Sequence, residues 1–417
     1  MGDRVIYHID CNGFYAAVEC LDHPELRDIP MAVAGDPKDR SGIILAKNEK
    51  ARAYGIRTAE TIYQARRKCP TLHLVPPRHH RYSEVSRQVK TLFGEYTDQV
   101  ESFGLDEAWL DVTGSLRYFR AGPVELADRI RARVKQEIGV TVSVGVSFNK
   151  VFAKLGSDMK KPDATTLISR ENYQQLVWPL PADALLFVGR TAMEQLRRHA
   201  IYTIGDVAQS DPLFLNRLLG KGGETLWRYA AGLDDAPVRR IGEEEPIKSV
   251  GNGMTFRRDL LGWDELKSGV VALADEVASR LREMHLKCGT MQITVKNPQL
   301  KSISRQMHLP LPTCLQKEMV DAAMALLYAN WREDAPVRAL TVTAMELVEE
   351  RQNVQQMTLL DMPGAVSGPA REKLERAEEA MQRIRQKHGT RSIAMGFVEN
   401  AELGIHPFGN SEKNHEA

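Results

Sequence analysis

No stretch of the 417-residue chain approaches the ~18 consecutive apolar residues that a membrane-crossing helix needs, so no membrane partner is expected. Residues 1–10 carry Asp3 and Arg4 where a secretory leader would carry an apolar core, and no cleavable export signal is expected. Cysteine is scarce. Cys11, Cys20, Cys69, Cys288 and Cys314 are the whole set, and none form a Cys-x-x-Cys pair. That spacing argues against a zinc ribbon or a disulfide scaffold and fits a reducing cytoplasm. Excess charge is missing too: 56 basic against 55 acidic residues leave a net +1. Any nucleic-acid contact must then come from local basic patches rather than a global field. There is no low-complexity tract and no long internal repeat. What is present, 43% hydrophobic and 27% charged, is the composition of a folded protein. At ~150 residues per domain the length holds about three domains.

Val5 to Ile9 is short, β-branched and aromatic, and predicts a buried strand followed at once by a helix from Gly13. Met31–Ala34 and Gly42–Leu45 predict short strands. Asn48–Tyr54, Glu60–Lys68, Arg81–Thr97, Pro123–Ile138 and Lys154–Lys161 predict helices. Val100–Phe103 and Ala108–Val112 predict a hairpin with acids at its tip, and Thr141–Ser147 a further strand. The order β–α–β–β–α–β–β–α implies an α+β sheet domain. Residues 167–232 are helical with short loops, and 233–245 read as a linker. From Pro246 to Glu350, four strand candidates (Lys248–Thr255, Thr290–Val295, Ser302–Leu309 and Val337–Leu347) and two helices predict a sheet covered on one face. Residues 351–417 read as a separate tail. In it Leu374, Ala377, Met381 and Ile384 form an apolar stripe at helical spacing, which predicts an amphipathic helix docked through that stripe.

Asp10 ends a predicted strand, and Asp106 and Glu107 lie between two others. Taken alone, such acids are ordinary turn residues. If the three converge, their charges oppose one another unless cations neutralise them. Hard divalent ions with oxygen ligands suit such a cluster, and two of them can clamp the attacking and leaving oxygens of a phosphoryl transfer. Phe14 and Tyr15 follow Asp10 closely, as core or as a wall of that site.

The segments His8-Ile-Asp-Cys-Asn-Gly-Phe-Tyr-Ala-Ala-Val-Glu19 and Ser102-Phe-Gly-Leu-Asp-Glu-Ala-Trp-Leu-Asp111 resemble the two signature motifs of Y-family DNA polymerases, closest to the bacterial DNA polymerase IV type. The resemblance covers about the first 350 residues. It implies a multidomain right-hand fold: palm at 1–10 and 77–166, fingers at 11–76, a thumb with helix-hairpin-helix at 167–232, the linker at 233–245, a little finger at 246–350 and the tail at 351–417. It implies low-fidelity, low-processivity addition of deoxynucleotides past damaged template, with two Mg2+ ions as cofactor. Asp10, Asp106 and Glu107 then correspond to the catalytic, metal-binding acids, and the Cys11 carbonyl to a further ligand. Asp111 is read as structural. Gly13, Phe14 and Tyr15 correspond to the nucleotide site, with Tyr15 as the steric gate against ribose. In the fingers, Ala46-Lys-Asn-Glu-Lys-Ala-Arg52 departs from the family pattern Thr-Ala-Asn-Tyr-x-Ala-Arg. Only Arg52 survives as a phosphate ligand there; Glu49 would repel phosphate if it turned inward, and Lys47 or Lys50 is left to substitute. Lys161 corresponds to a palm lysine near the triphosphate.

Val188, Gly189 and Arg190 resemble the thumb hairpin that grips DNA phosphates, although Phe187 stands where glycine is common. Lys296, Lys301 and Arg305 are candidate duplex contacts. Gln356-Met-Thr-Leu-Leu360 resembles a sliding-clamp-binding peptide, with Gln356, Leu359 and Leu360 as anchors. Implied partners are primer–template DNA, deoxynucleoside triphosphates and the clamp, with the chain as a monomer. Two other classes compete. A catalytically silent DNA- and clamp-binding scaffold need not keep the three acids, which are all present. A different palm enzyme, such as a nucleotide cyclase, leaves the thumb, little finger and clamp-like peptide unexplained.

Overall fold

The computed structural model describes residues 3–37, 42–243, 245–349, 369–389, 392–393 and 402–405. The chain divides into two compact units, Met1–Gly35 with Ile43–Glu244, and Asp36–Gly42 with Glu245–Ala417.

In the first unit the strands are β1 (Ile6–Cys11), β2 (Met31–Ala34), β3 (Ile44–Lys47), β4 (His73–Val75), β5 (Val100–Ser102), β6 (Glu107–Asp111), β7 (Val142–Ser147) and β8 (Thr165–Ile168). They form a five-stranded sheet, β5-β6-β1-β7-β8, and a three-stranded sheet, β3-β2-β4. β1 lies antiparallel between β6 and β7. Its alternation sorts the side chains. Tyr7 and Ile9 enter a core with Val85 and Val89 of helix His79–Gly94 and with Leu126 and Ile130 of helix Pro123–Arg133. His8 and Asp10 fall on the opposite face, where helix Lys150–Met159 lies. That helix approaches β7 so closely that a Cβ at Gly145 would sit 1.8 Å from the Ala153 carbonyl, so only glycine fits there.

Several boundaries differ from expectation. The helix expected at Lys154–Lys161 starts at Lys150 instead, because the Asn149 side chain accepts a hydrogen bond from Phe152 N–H at 2.8 Å and caps it. β8, which the sequence pattern does not mark, pairs in parallel with β7 and runs across position 166. Residues 233–243 are bound along the sheet edge: Arg239 donates to Glu101 at 3.0 Å, and Val238 is buried. Short helices Arg190–Arg198, Ile204–Gln209, Pro212–Leu219 and Lys221–Ala230 surround a separate core of Leu196, Ile204, Val207, Leu215 and Leu226.

The second unit has β9 (Ser249–Leu260), β10 (Leu286–Lys296), β11 (Ser302–Thr313) and β12 (Val337–Glu349), all antiparallel in the order β11-β10-β12-β9. Helices Gly262–Glu283 and Gln316–Asn330 cover one face through Val270, Leu273, Val277, Met319 and Leu327, as the pattern predicts.

The tail is where expectation fails. Helix Pro369–His388 forms, but it docks by its polar side. Leu374 and Ile384 are 40% exposed, whereas Glu378, Gln382 and Arg385 are buried. Arg385 pairs with Asp275 at 3.0 Å, Arg282 with Glu378, and Arg371 with Glu318 at 3.0 Å. Gln382 accepts from Ser279 and donates to Glu283, both at 2.8 Å. Further on, Leu403 and Ile405 are fully buried in the core of this unit, and the Leu403 carbonyl accepts from Arg257 N–H on edge strand β9. This stretch is core rather than a free tail. Leu403→Ala or Ile405→Ala should each cost ~2–5 kcal/mol through the cavity left behind. The denaturation midpoint of the full chain reads this out, and an unshifted midpoint rejects the core assignment. The clamp-like peptide Gln356–Leu360 lies outside the described residues.

Candidate active site

β1 and β6 set the register of the acids. Asp10 is directly opposite Glu107, so both carboxylates leave the same face of the sheet. Asp106 is the last residue of the β5–β6 turn, and its carbonyl accepts from Cys11 N–H at 2.9 Å. The turn is braced from helix His79–Gly94: Lys90 Nζ donates to Ser102 Oγ and to the Gly104 carbonyl, both at 2.6 Å. A cleft of about 550 Å³ opens beside these residues. Asp10, Cys11, Gly13, Phe14, Tyr15, Arg52, Asp106 and Lys161 line it, so the structure gathers most of the expected site. Glu107 is set back from the lining.

Charge explains that setback. Glu107 Oε2 accepts from Lys154 Nζ at 2.5 Å and lies 3.1 Å from His8 Nε2. Burial pushes its carboxyl up, but the His8 and Lys154 donors outweigh burial and hold it at about 2. Asp10 pairs with Lys161 at 2.8 Å, yet its carboxyl is raised, because burial and the Glu107 charge outweigh the lysine. Asp106 is raised by burial and by Asp10. Lys161 stays charged: its burial is overcome by Asp10 and Asp158. Among the described residues no three acidic, His or Cys side chains already converge as a metal cluster. The donor set nonetheless fits a divalent ion. Two acids of the cleft, Asp10 and Asp106, are each raised by burial and by a neighbouring carboxylate, which calls for positive charge, and an all-oxygen set selects a hard cation. Lysines stand against two of the three acids here.

The nucleotide wall is equally specific. Gly13 has φ 54°, and a Cβ there would meet the Lys47 carbonyl at 3.0 Å, so glycine suits the position both conformationally and sterically. Phe14 is core, only 3% exposed. Tyr15 faces the cleft and stacks on Tyr82 with ring centres 4.1 Å apart and planes 13° apart. Tyr82 donates to buried Glu19 at 2.5 Å, and Arg78 grips the same carboxylate at 2.7 Å. In the fingers, Lys47 lines the cleft and Lys50 does not. Glu49 also lines it but pairs with Arg52 at 3.4 Å, so its charge orients the arginine. Asp111 is structural: its carboxylate accepts from Thr113 N–H and Oγ–H.

The DNA-contact candidates fare unevenly. Val188 and Gly189 precede a helix that no side chain caps, Arg190 begins that helix and is fully exposed, and Phe187 occupies φ 68° with its ring exposed. Lys301 sits in the β10–β11 turn. Lys296 and Arg305 do not share a face. Arg305 pairs with core residue Ile293 and bonds Asn330 on the covering helix, whereas Lys296 lies on the open face with Thr294. The open face also carries Gln292, Ser304, Thr341 and Thr343, uncharged donors that a search for basic residues passes over. Their strict alternation with the core residues is the signal that marks them.

A palm sheet carrying clustered carboxylates beside a nucleotide-sized cleft, with a helical subdomain and a further four-stranded sheet in the chain, defines a right-hand polymerase fold. The impB/mucB/samB family matches residues 9–158, and the C-terminal domain of that family matches residues 247–359. The chain is 45% identical to DNA polymerase IV of Acetivibrio thermocellus over 95% of its own length and 97% of that protein. It is 37% identical to DNA polymerase IV of Bacillus velezensis, over 95% and 93%. A solved Y-family DNA polymerase chimera, Dbh-Dpo4(243-245)-Dbh, shares the fold with a TM-score of 0.72 at 21% identity, covering 83% of this chain and 99% of that one. The chain belongs to the DNA polymerase IV family.

Proposed function

We propose that this chain is a template-directed DNA polymerase that extends primers past damaged or distorted template with low fidelity and low processivity. The observation that carries the reading is the facing pair Asp10–Glu107, with Asp106 beside it, across a cleft from Lys47 and Arg52. Asp10, Asp106, Glu107 and the Cys11 carbonyl would hold two Mg2+ ions, which activate the primer hydroxyl and neutralise the departing pyrophosphate. The chain's own residues do the rest. Arg52 and Lys47 bind the triphosphate. Lys161, paired with Asp10 and lining the same cleft as Lys47 and Arg52, adds positive charge for the departing pyrophosphate. Tyr15 closes the space beneath the sugar. Palm, fingers, thumb and little finger keep the ranges given above except that the palm extends through β8 to Ile168, with the thumb hairpin at Val188, Gly189 and Arg190 and the little-finger face at Lys296 and Lys301 tracking DNA phosphates. Gln356, Leu359 and Leu360 tether the monomer to a sliding clamp, which raises its local concentration at primer ends. Primer extension with Mg2+ and all four deoxynucleotides on intact and lesion-bearing templates tests the reading; no elongated product, or none past a lesion, rejects it.

The thinned-out fingers make a sharper expectation. With alanine at position 46, few groups share the triphosphate charge. Arg52→Ala should raise the apparent KM for deoxynucleotides roughly tenfold or more, because a charge-assisted contact is worth ~1.5–3 kcal/mol. Steady-state kinetics check this. A larger loss from Lys47→Ala than from Arg52→Ala would move the load to the lysine.

A further inference from the structure

We propose that His8 is a positioning residue for Glu107: its buried Nε2 edge is placed to direct one carboxylate oxygen, and Ser157, on Nδ1, fixes the ring in the orientation that makes this possible. The proposal rests on the reading of Glu107 as a metal ligand.

His8 lies two residues before Asp10 on β1, directly opposite Trp109, and is completely buried. A neutral imidazole has one N–H and one lone pair. Nδ1 lies 2.8 Å from Ser157 Oγ, and Nε2 lies 3.1 Å from Glu107 Oε2. A lone pair on Nε2 would face an ionised carboxylate oxygen, which is repulsive. Neutral or charged, the ring therefore carries a proton on Nε2, toward Glu107; in the neutral ring Nδ1 accepts from the Ser157 hydroxyl. Ser157 Oγ also lies 2.8 Å from the Lys154 carbonyl. A hydroxyl has a single proton, so these two bonds are alternatives, and Glu107 favours the one to His8.

In this structure Nε2 is buried and completes no hydrogen bond, although Glu107 Oε2 lies 3.1 Å away. An orphaned buried donor is rare, and this one is aimed at a catalytic acid. The contacts on Glu107 are also one-sided. Lys154 and His8 both meet Oε2, and Oε1 has no hydrogen-bond or ion-pair partner among the described residues. Pinning one oxygen from behind leaves the other free for a ligand role. Partners that orient a metal-binding carboxylate typically change metal affinity by ~10–100-fold. Lys154, on a flexible stem, supplies charge; the imidazole, locked between Ser157 and Trp109, supplies direction.

Mn2+ serves as the probe, with the full chain bound to primer–template and free Mn2+ followed by electron paramagnetic resonance. His8→Met removes the donor and should weaken Mn2+ binding about tenfold or more. Ser157→Ala, which is small and keeps the fold, should weaken it several-fold by releasing the ring. His8→Gln, which places a donor near Nε2, should recover most of the loss. In kinetics, kcat should fall while the apparent KM for deoxynucleotide holds. Wild-type Mn2+ affinity in Ser157→Ala together with His8→Met, or in Ser157→Ala alone if His8→Met does not fold, overturns the proposal. Equal losses in His8→Met and His8→Gln overturn it in favour of packing. Asp106→Ala is the control. If it keeps full Mn2+ affinity, the metal reading of the acids itself fails, and the proposal with it.

Discussion

Asp106→Ala and Glu107→Ala should each lower single-turnover primer extension by at least about 10³-fold, while primer–template affinity stays within a small factor of the parent. A 10³-fold loss is roughly 4 kcal/mol of transition-state stabilisation, the scale expected when an acid that holds a catalytic cation is lost. On the proposed reading the two acids act through the cations they would hold rather than by contact with the duplex. The variants should differ in one respect. Glu107→Ala leaves Lys154 and His8 without their carboxylate in a half-buried site, so it should also lower the melting temperature; Asp106→Ala has no such partner to strand. Extension at near-parental rate by either variant would remove that residue from the site.

Tyr15→Ala should raise the ratio of ribo- to deoxynucleotide incorporation efficiency on the order of 100-fold, about 2.7 kcal/mol of lost discrimination. Rejection by a wall needs the wall to stay in place. Tyr15 is stacked flat on Tyr82, whose hydroxyl is fixed by Glu19, which Arg78 holds in turn. The ring therefore has little freedom to retreat from a 2′-hydroxyl, and its removal relaxes selection without any new contact. Incorporation kinetics with matched nucleotide pairs decide the matter, and an unchanged ratio would end the steric role.

Most of the cleft could be read from sequence because its residues cluster in local motifs. Asp10 to Tyr15 span one strand end and one helix start, and Asp106 and Glu107 a single turn. The residues that hold those acids could not be read that way. His8, Lys154 and Ser157 meet only when helix Lys150–Met159 packs on β1, and that packing depends on Gly145. The choice between Lys47 and Lys50 depended on where strand β3 gives way to a helix. Arg305 and Lys296 separated because register assigns each side chain to a face, and register depends on the turn between two strands. Leu403-Gly-Ile405 does alternate, and that signal was there to use. The tail helix was misjudged for a physical reason: hydrophobic periodicity assumes that a docked helix hides its apolar stripe. Here complementary charges on the receiving helices reverse that rule.

That reversal constrains how the gene can drift. Asp275 and Arg385 are 5% and 2% exposed, and Arg282 and Glu378 are nearly as enclosed. Losing one member of such a pair strands a charge at a cost of ~3–5 kcal/mol, whereas exchanging both for well-packed apolar residues is often neutral or stabilising. Single substitutions are therefore filtered out, and double ones pass. The two positions should therefore change together or not at all, although 110 residues of sequence separate them.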